Sequence, residues 1–180
     1  DKLYLESSDF LQVRKMIEAE TIFLQKARGI ADRQAEKNAL SALALAYSRL
    51  GQTRKAIKYF QEQLNISQEL GNFEEVCGLL ANLGDAYAVS GNIDRAKHYY
   101  EEQRMLAESK GLHAYLGSSY NGIGFVFVKQ DKIKQAIDCY YKALESYRAL
   151  ENDDKQLELL VGIGLNYRKL EQWEKALEYF

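Results

Sequence analysis

Proline is absent from all 180 residues, and with it the residue that most often breaks or kinks a helix. Helices must then be stopped by glycine and short polar clusters, which fits a chain that is almost wholly helical. Cysteine is nearly absent too. Cys77 and Cys139 are the only two, too few for a disulfide framework, so a reducing compartment and a cytoplasmic setting are the expectation. No apolar run approaches the roughly 18 residues of a bilayer span, which argues against membrane insertion. Neither charge sign dominates: 24 lysines and arginines face 26 carboxylates, for a net charge of -2. A broad phosphate-binding face is excluded on that balance, and nucleic acid with it as a partner. The two histidines, His98 and His113, have no base, nucleophile or carboxylate array at a matching spacing. No triad, metal site or cofactor site can therefore be assembled, and the chain is not expected to be an enzyme.

What the chain does have is a period of forty. Ala44, Gly84, Gly124 and Gly164 share one slot, and Tyr47, Tyr87, Phe127 and Tyr167 share the next. Ala56, Ala96, Ala136 and Ala176 fill a third slot, and Phe60, Tyr100, Tyr140 and Phe180 a fourth. Self-similarity at one fixed period is the signature of stacked repeats and outranks any local motif. A composition 47% hydrophobic and 28% charged is that of a folded chain.

In chain order, residues 1–33 follow the pattern least. Met16 stands where a small residue belongs and Glu20 where an aromatic belongs. Val13 to Arg28 still reads as an amphipathic helix, with Ser7-Ser8-Asp9 as its N-cap cluster, and the segment is expected to be a degenerate helical repeat or cap. From residue 34 the repeats run 34–73, 74–113, 114–153 and a partial 154–180. Each is expected to hold two helices. Gly51, Gly71, Gly91 and Gly111 stop helices, while Gln130-Asp131 and Glu151-Asn152 stand where the glycine is missing. Short connections make neighbouring helices antiparallel. The pattern is cut at both ends of the chain, so a longer parent protein is expected.

The small slots let a neighbouring helix approach, and the aromatics fill the volume beside that contact. No repeat can bury its apolar stripe alone, so each depends on its neighbours. The pattern carried by Leu80, Leu83, Gly84, Tyr87, Gly91, Ala96 and Tyr100 resembles the tetratricopeptide repeat (TPR). It recurs at Tyr120, Ile123, Gly124, Phe127, Ala136 and Tyr140, and again at Leu160, Ile163, Gly164, Tyr167, Ala176 and Phe180. Two departures stand out: forty residues per repeat instead of thirty-four, and no closing proline. The longer period is similar to cell-polarity adaptors of the LGN/Pins type and to bacterial peptide-sensing regulators. The resemblance implies an all-α, right-handed superhelical solenoid of antiparallel helix pairs. It also implies a non-catalytic scaffold or adaptor with a protein or peptide partner.

Several motifs invite chemistry and have plainer readings. Gly122-Ile-Gly124 and Gly162-Ile-Gly164 contain GxG, but a phosphate cradle needs a strand before it and a helix N-terminus after it. These glycines sit mid-helix and read as packing slots. Most of the thirteen tyrosines fall on repeat slots, so they read as packing groups. Glu101-Glu102 reads as a solvated face and Asp153-Asp154 as an N-cap.

The concave face implied by the resemblance is the candidate site. It takes residues from the first helix of each pair: Ser41, Leu45, Arg49, Asp85, Asn121, Phe125, Lys129, Val161, Leu165, Arg168 and Lys169. Ala81, Ser48, Ala88, Val89 and Val128 stand beside them. The face is apolar at its centre with a basic lean towards the C-terminal end, which suits an amphipathic helix or an extended apolar peptide. The lysine and asparagine positions that clamp a C-terminal carboxylate in chaperone-binding relatives hold Ser41, Leu45 and Asp85, so that activity is not carried over. Further segments of the chain itself could also cover the groove. A peptide-sensing regulator and the interaction arm of a larger enzyme are the alternative functions.

Overall fold

The computed structural model describes the backbone from Lys2 to Phe180 and side chains from Phe10 onward. Among the described residues the chain forms nine α-helices and no strand. They are α1 (Lys2–Gly29), α2 (Arg33–Arg49), α3 (Thr53–Glu69), α4 (Phe73–Val89), α5 (Ile93–Lys110), α6 (His113–Lys129), α7 (Ile133–Arg148), α8 (Asp153–Lys169) and α9 (Trp173–Leu177). The chain divides into two compact units, residues 1–72 and 73–180. Within each, connections of a few residues lay successive helices antiparallel.

Every connection uses the same backbone device. A residue with positive φ recurs every twenty positions: Ala31, Gly51, Gly71, Gly91, Gly111, Asp131, Glu151 and Glu171. The next amide then reaches back to a carbonyl near the helix end, as Asn92 does to Tyr87 (2.9 Å) and Lys132 to Phe127 (2.8 Å). Glycine at four of these positions takes the left-handed conformation without a Cβ penalty; the other four bear that penalty. Side-chain oxygens of Asp32, Asn92 and Asn152 cap α2, α5 and α8 by accepting from the third following amide. The cap of α8 is therefore Asn152, and Asp153-Asp154, expected to cap, fill the first turn beyond it.

In the first unit α1 runs well beyond the expected span of 13–28, because no proline or internal glycine interrupts it. The expected N-cap at Ser7-Ser8-Asp9 falls inside this helix, and the side chains of residues 1–9 lie outside those described. The core here is Leu24, Ala39, Leu40, Leu43 and Ile66, flanked by Ile17, Tyr47 and Tyr59. Beside it Glu36, only 8% exposed, accepts from Arg28 and from Arg33, both at 2.8 Å. Arg28 continues to Glu62 at 2.5 Å, and Arg33 pairs with Glu69. Three helices are thereby tied by a network of two arginines and three glutamates. The Arg28 hydrogen bond, with Arg33 behind it, holds the Glu36 carboxyl below the usual glutamate range against the opposing effect of burial.

The second unit is built on rings seated against glycines. A Cβ at Gly84 would lie 2.4 Å from the Tyr100 ring, and one at Gly124 would lie 2.6 Å from Tyr140. At Gly164 the nearest atom is Phe180 at 3.0 Å. The fourth-slot aromatic thus fills the first-slot hollow of its own helix pair. The second-slot tyrosines do something else: Tyr87 stacks on Tyr99 at 5.4 Å and Tyr167 on Tyr179 at 5.7 Å. Ile133, Ile137, Leu144, Leu159 and Ile163 complete the apolar core, each burial worth about 1.5–3 kcal/mol.

Candidate functional site

The first helix of each pair in the second unit is α4, α6 or α8, and an open groove of about 840 Å³ is lined from all three. Helix α4 gives Ala81, Asp85, Ala88 and Val89; α6 gives Ser118, Asn121, Gly122, Phe125 and Lys129. One helical turn separates Asp85 from Val89 and Phe125 from Lys129, which places each pair on one face. Helix α8 gives Lys155, Glu158, Leu159 and Gly162, and Tyr100 and Tyr140 complete the wall from the second helices.

Two apolar side chains of the lining are exposed. Val89 is 78% exposed and Phe125 38%, and neither is part of the core. Lys129 holds its ammonium 5.2 Å from the Phe125 ring centre, a cation–π placement that keeps the charge over the groove. On the opposite wall Asp85 accepts a hydrogen bond from the Tyr100 hydroxyl at 2.6 Å. Burial first, and the Asp85 carboxylate second, push Tyr100 far above the ordinary tyrosine range. Burial pushes Tyr140 up to about 12. Both rings therefore stay neutral over the working pH range, as donors and apolar surface and not as bases. Lys155 pairs with Glu158 at 2.7 Å, and that bond raises the lysine pKa.

The expected site residues are dispersed more widely than this groove. Asp85, Asn121, Phe125 and Lys129 meet in it, with Ala81, Ala88 and Val89. Val161, Leu165, Arg168 and Lys169 are exposed on α8 but do not line it. The α8 wall comes instead from residues nearer its N-terminus. Val128 packs against the core of the second unit and does not line the groove. In the first unit Ser41 is half-buried, and Leu45 is 51% exposed. Arg49 lines a separate cleft of about 430 Å³ with Leu50 and with Phe10, Gln12, Val13 and Met16 of α1. Tyr100, Tyr140 and Gly162 were expected only as packing groups. For the rings the signal was ambiguous, since one edge packs on glycine and the other faces the groove.

Gly122 and Gly162, both expected in packing slots, behave differently. A Cβ on Gly122 would lie 2.6 Å from the Tyr100 ring, whereas one on Gly162 would meet nothing within 4 Å. The packing expectation holds for the first glycine and fails for the second. Among the described residues no three histidine, cysteine or carboxylate side chains gather as metal ligands. His98 instead faces Glu102 at 3.3 Å, and burial pushes the Cys77 thiol up to about 11. No helix among the described residues is long and apolar enough to cross a membrane.

Tetratricopeptide-repeat family models match residues 74–149 and 115–180, and a second one matches 39–74. The chain belongs to the tetratricopeptide repeat family. Among curated relatives it is 29% identical over 102 residues to response regulator aspartate phosphatase E of Bacillus subtilis, covering 56% of this chain and 27% of that protein. It is 30% identical over 146 residues to outer dynein arm-docking complex subunit 4 of Danio rerio, covering 77% of this chain and 28% of that protein. The chain thus spans between about a quarter and a third of the curated relatives it matches. The apo form of RapI superposes with a TM-score of 0.86 at 16% identity, over 93% of this chain and 47% of that one. At that identity the likeness shows the fold alone. An all-α TPR solenoid of stacked helix pairs is therefore the fold class, and protein–protein interaction is the role that the family supports.

Proposed function

We propose that this TPR chain is a non-catalytic docking module that holds a peptide or helical segment of a protein partner in the groove of its second unit. The observation that carries the reading is Phe125: a large ring 38% exposed in the lining of a groove that spans three helices, with a lysine poised over it. An exposed apolar centre with polar edges is the pattern of a recognition groove. Lys129 would steer acidic ligands, and Asp85 would meet a donor.

The test is affinity capture of partners from a cell extract with the wild-type chain and with Phe125→Glu. Phe125 is not part of the core of the second unit, so helicity and the thermal midpoint are expected to stay native while groove partners are lost. Equal recovery by both proteins, with native circular dichroism, would sink the groove assignment. The likeness to a response regulator aspartate phosphatase favours one further reading, that these repeats are the sensing arm of a larger regulatory protein. A ligand-dependent change in scattering radius separates that reading from a static dock.

A further inference from the structure

The structure assigns to Gly162 the role of a specificity notch, which takes the bulky apolar side chain of a peptide that also places a carboxylate on Lys129. This inference rests on the groove reading above and states which peptide fits. Gly122 and Gly162 stand forty residues apart in the repeat, yet only Gly122 is needed for packing. Its missing side chain makes room for Tyr100, while nothing lies within 4 Å of a Cβ built on Gly162. A helical glycine without a packing partner weakens its helix relative to alanine. At Gly162 the surface of α8 is bare and opens into the groove, beside the apolar wall groups Tyr140 and Leu159. A bulky apolar side chain seated there would expose less apolar surface to water than it does in solution, which favours its burial against that wall.

The charges decide the other half. Asp85 accepts from the neutral Tyr100 hydroxyl and keeps its charge for a donor, and Lys155 is neutralised by Glu158. Among the described residues Lys129 makes no ion pair, only its contact with the Phe125 ring. It is the groove's unpaired cation, and a carboxylate is its complement.

The test uses the whole 180-residue chain and a phage-displayed library of random dodecapeptides. Enriched peptides are then synthesised and titrated against wild type, Gly162→Leu, Lys129→Glu and Phe125→Glu. We expect enriched sequences that combine a bulky apolar residue with Asp or Glu. Gly162→Leu and Lys129→Glu should each weaken them by about ten-fold or more, with the thermal midpoint of Gly162→Leu equal to or above wild type. Binding to Gly162→Leu within about two-fold of wild type, with loss on Phe125→Glu, overturns the notch and leaves the groove standing. Unchanged binding to Lys129→Glu overturns the carboxylate. A lowered midpoint for Gly162→Leu shows that the space is occupied and also overturns the notch. Indifference to Phe125→Glu, or no enriched sequence at all, overturns the groove reading itself.

Discussion

Residues 36 and 76 hold the same position in the forty-residue pattern with opposite chemistry. In the first unit the position is Glu36, buried under Arg28 and Arg33; in the second it is Val76, buried as plain hydrocarbon. Residues 44 and 84 make the converse pair. Ala44 is fully buried with its Cβ accommodated, whereas Gly84 leaves no room for one against Tyr100. One unit secures its helices with a charge network and tolerates a methyl in the slot. The other relies on apolar contact and seats a ring on bare backbone. The difference teaches that equivalent positions of a repeat keep their inward direction while size and chemistry change, as long as each polar group brought in finds partners.

The comparison can be broken by making one unit resemble the other. The largest effect is expected from Gly84→Ala, which gives the second unit the side chain that the first already carries. Its Cβ would collide with ring carbons of a buried tyrosine, and overpacking of that kind costs about 1–3 kcal/mol despite alanine's better helix propensity. Urea denaturation should show the loss, and an unchanged midpoint would mean that Tyr100 swings aside freely. Next in size is Glu36→Gln, which keeps the shape and removes the charge. Arg28 and Arg33 are about half exposed, so water screens the network and the expected loss is about 1–2 kcal/mol. Because Glu36 titrates lower in the folded state than in the unfolded chain, its contribution is complete at neutral pH. It disappears as pH falls through the folded-state pKa. The gap between wild type and variant should therefore narrow in acid, and a gap that is constant with pH would exclude the charge network as its source. The smallest effect sharpens a contrast within the second unit, where Gly91 and Gly111 turn without strain and Glu151 turns at φ 52. Glu151→Gly should raise stability by about 0.5–1 kcal/mol, read from the thermal midpoint. A loss would show that the Glu151 side chain contributes more than its backbone strain costs.

The aromatic slots show how far a sequence pattern reaches. Tyr47, Lys55 and Tyr59 form a layered set with the ammonium 4.8 Å from the first ring and the two rings 5.4 Å apart. Tyr87, Arg95 and Tyr99 repeat it forty residues later, and Tyr167, Lys175 and Tyr179 do so again. The intervening copy reads Phe127, Gln135 and Cys139, without the cation or the second ring. There Lys97, from the preceding helix pair, comes to 5.5 Å from the Phe127 ring. The slot itself was legible in the sequence, but the replacement donor was not, because Lys97 is thirty residues away and only helix packing brings it near.

The period of forty, the turns from Gly51 to Glu151 and the family were determined by the sequence alone, because each depends on local spacing: where a small residue recurs, where glycine permits a left-handed turn, where an apolar stripe keeps its 3.6-residue rhythm. Even Asp131 and Glu151 could be read as turns from their place in the count. Which residues share the groove was decided by tertiary structure. Asp85, Asn121, Phe125 and Lys129 were expected on one surface and do meet, since equivalent positions of stacked helices align. Leu165 and Lys169 have the same periodic credentials and stay outside, while Lys155, Glu158 and Gly162 take their place. Nothing in the spacing distinguishes Gly122 from Gly162. Only the position of the neighbouring ring does, filling the space beside one glycine and leaving the other open.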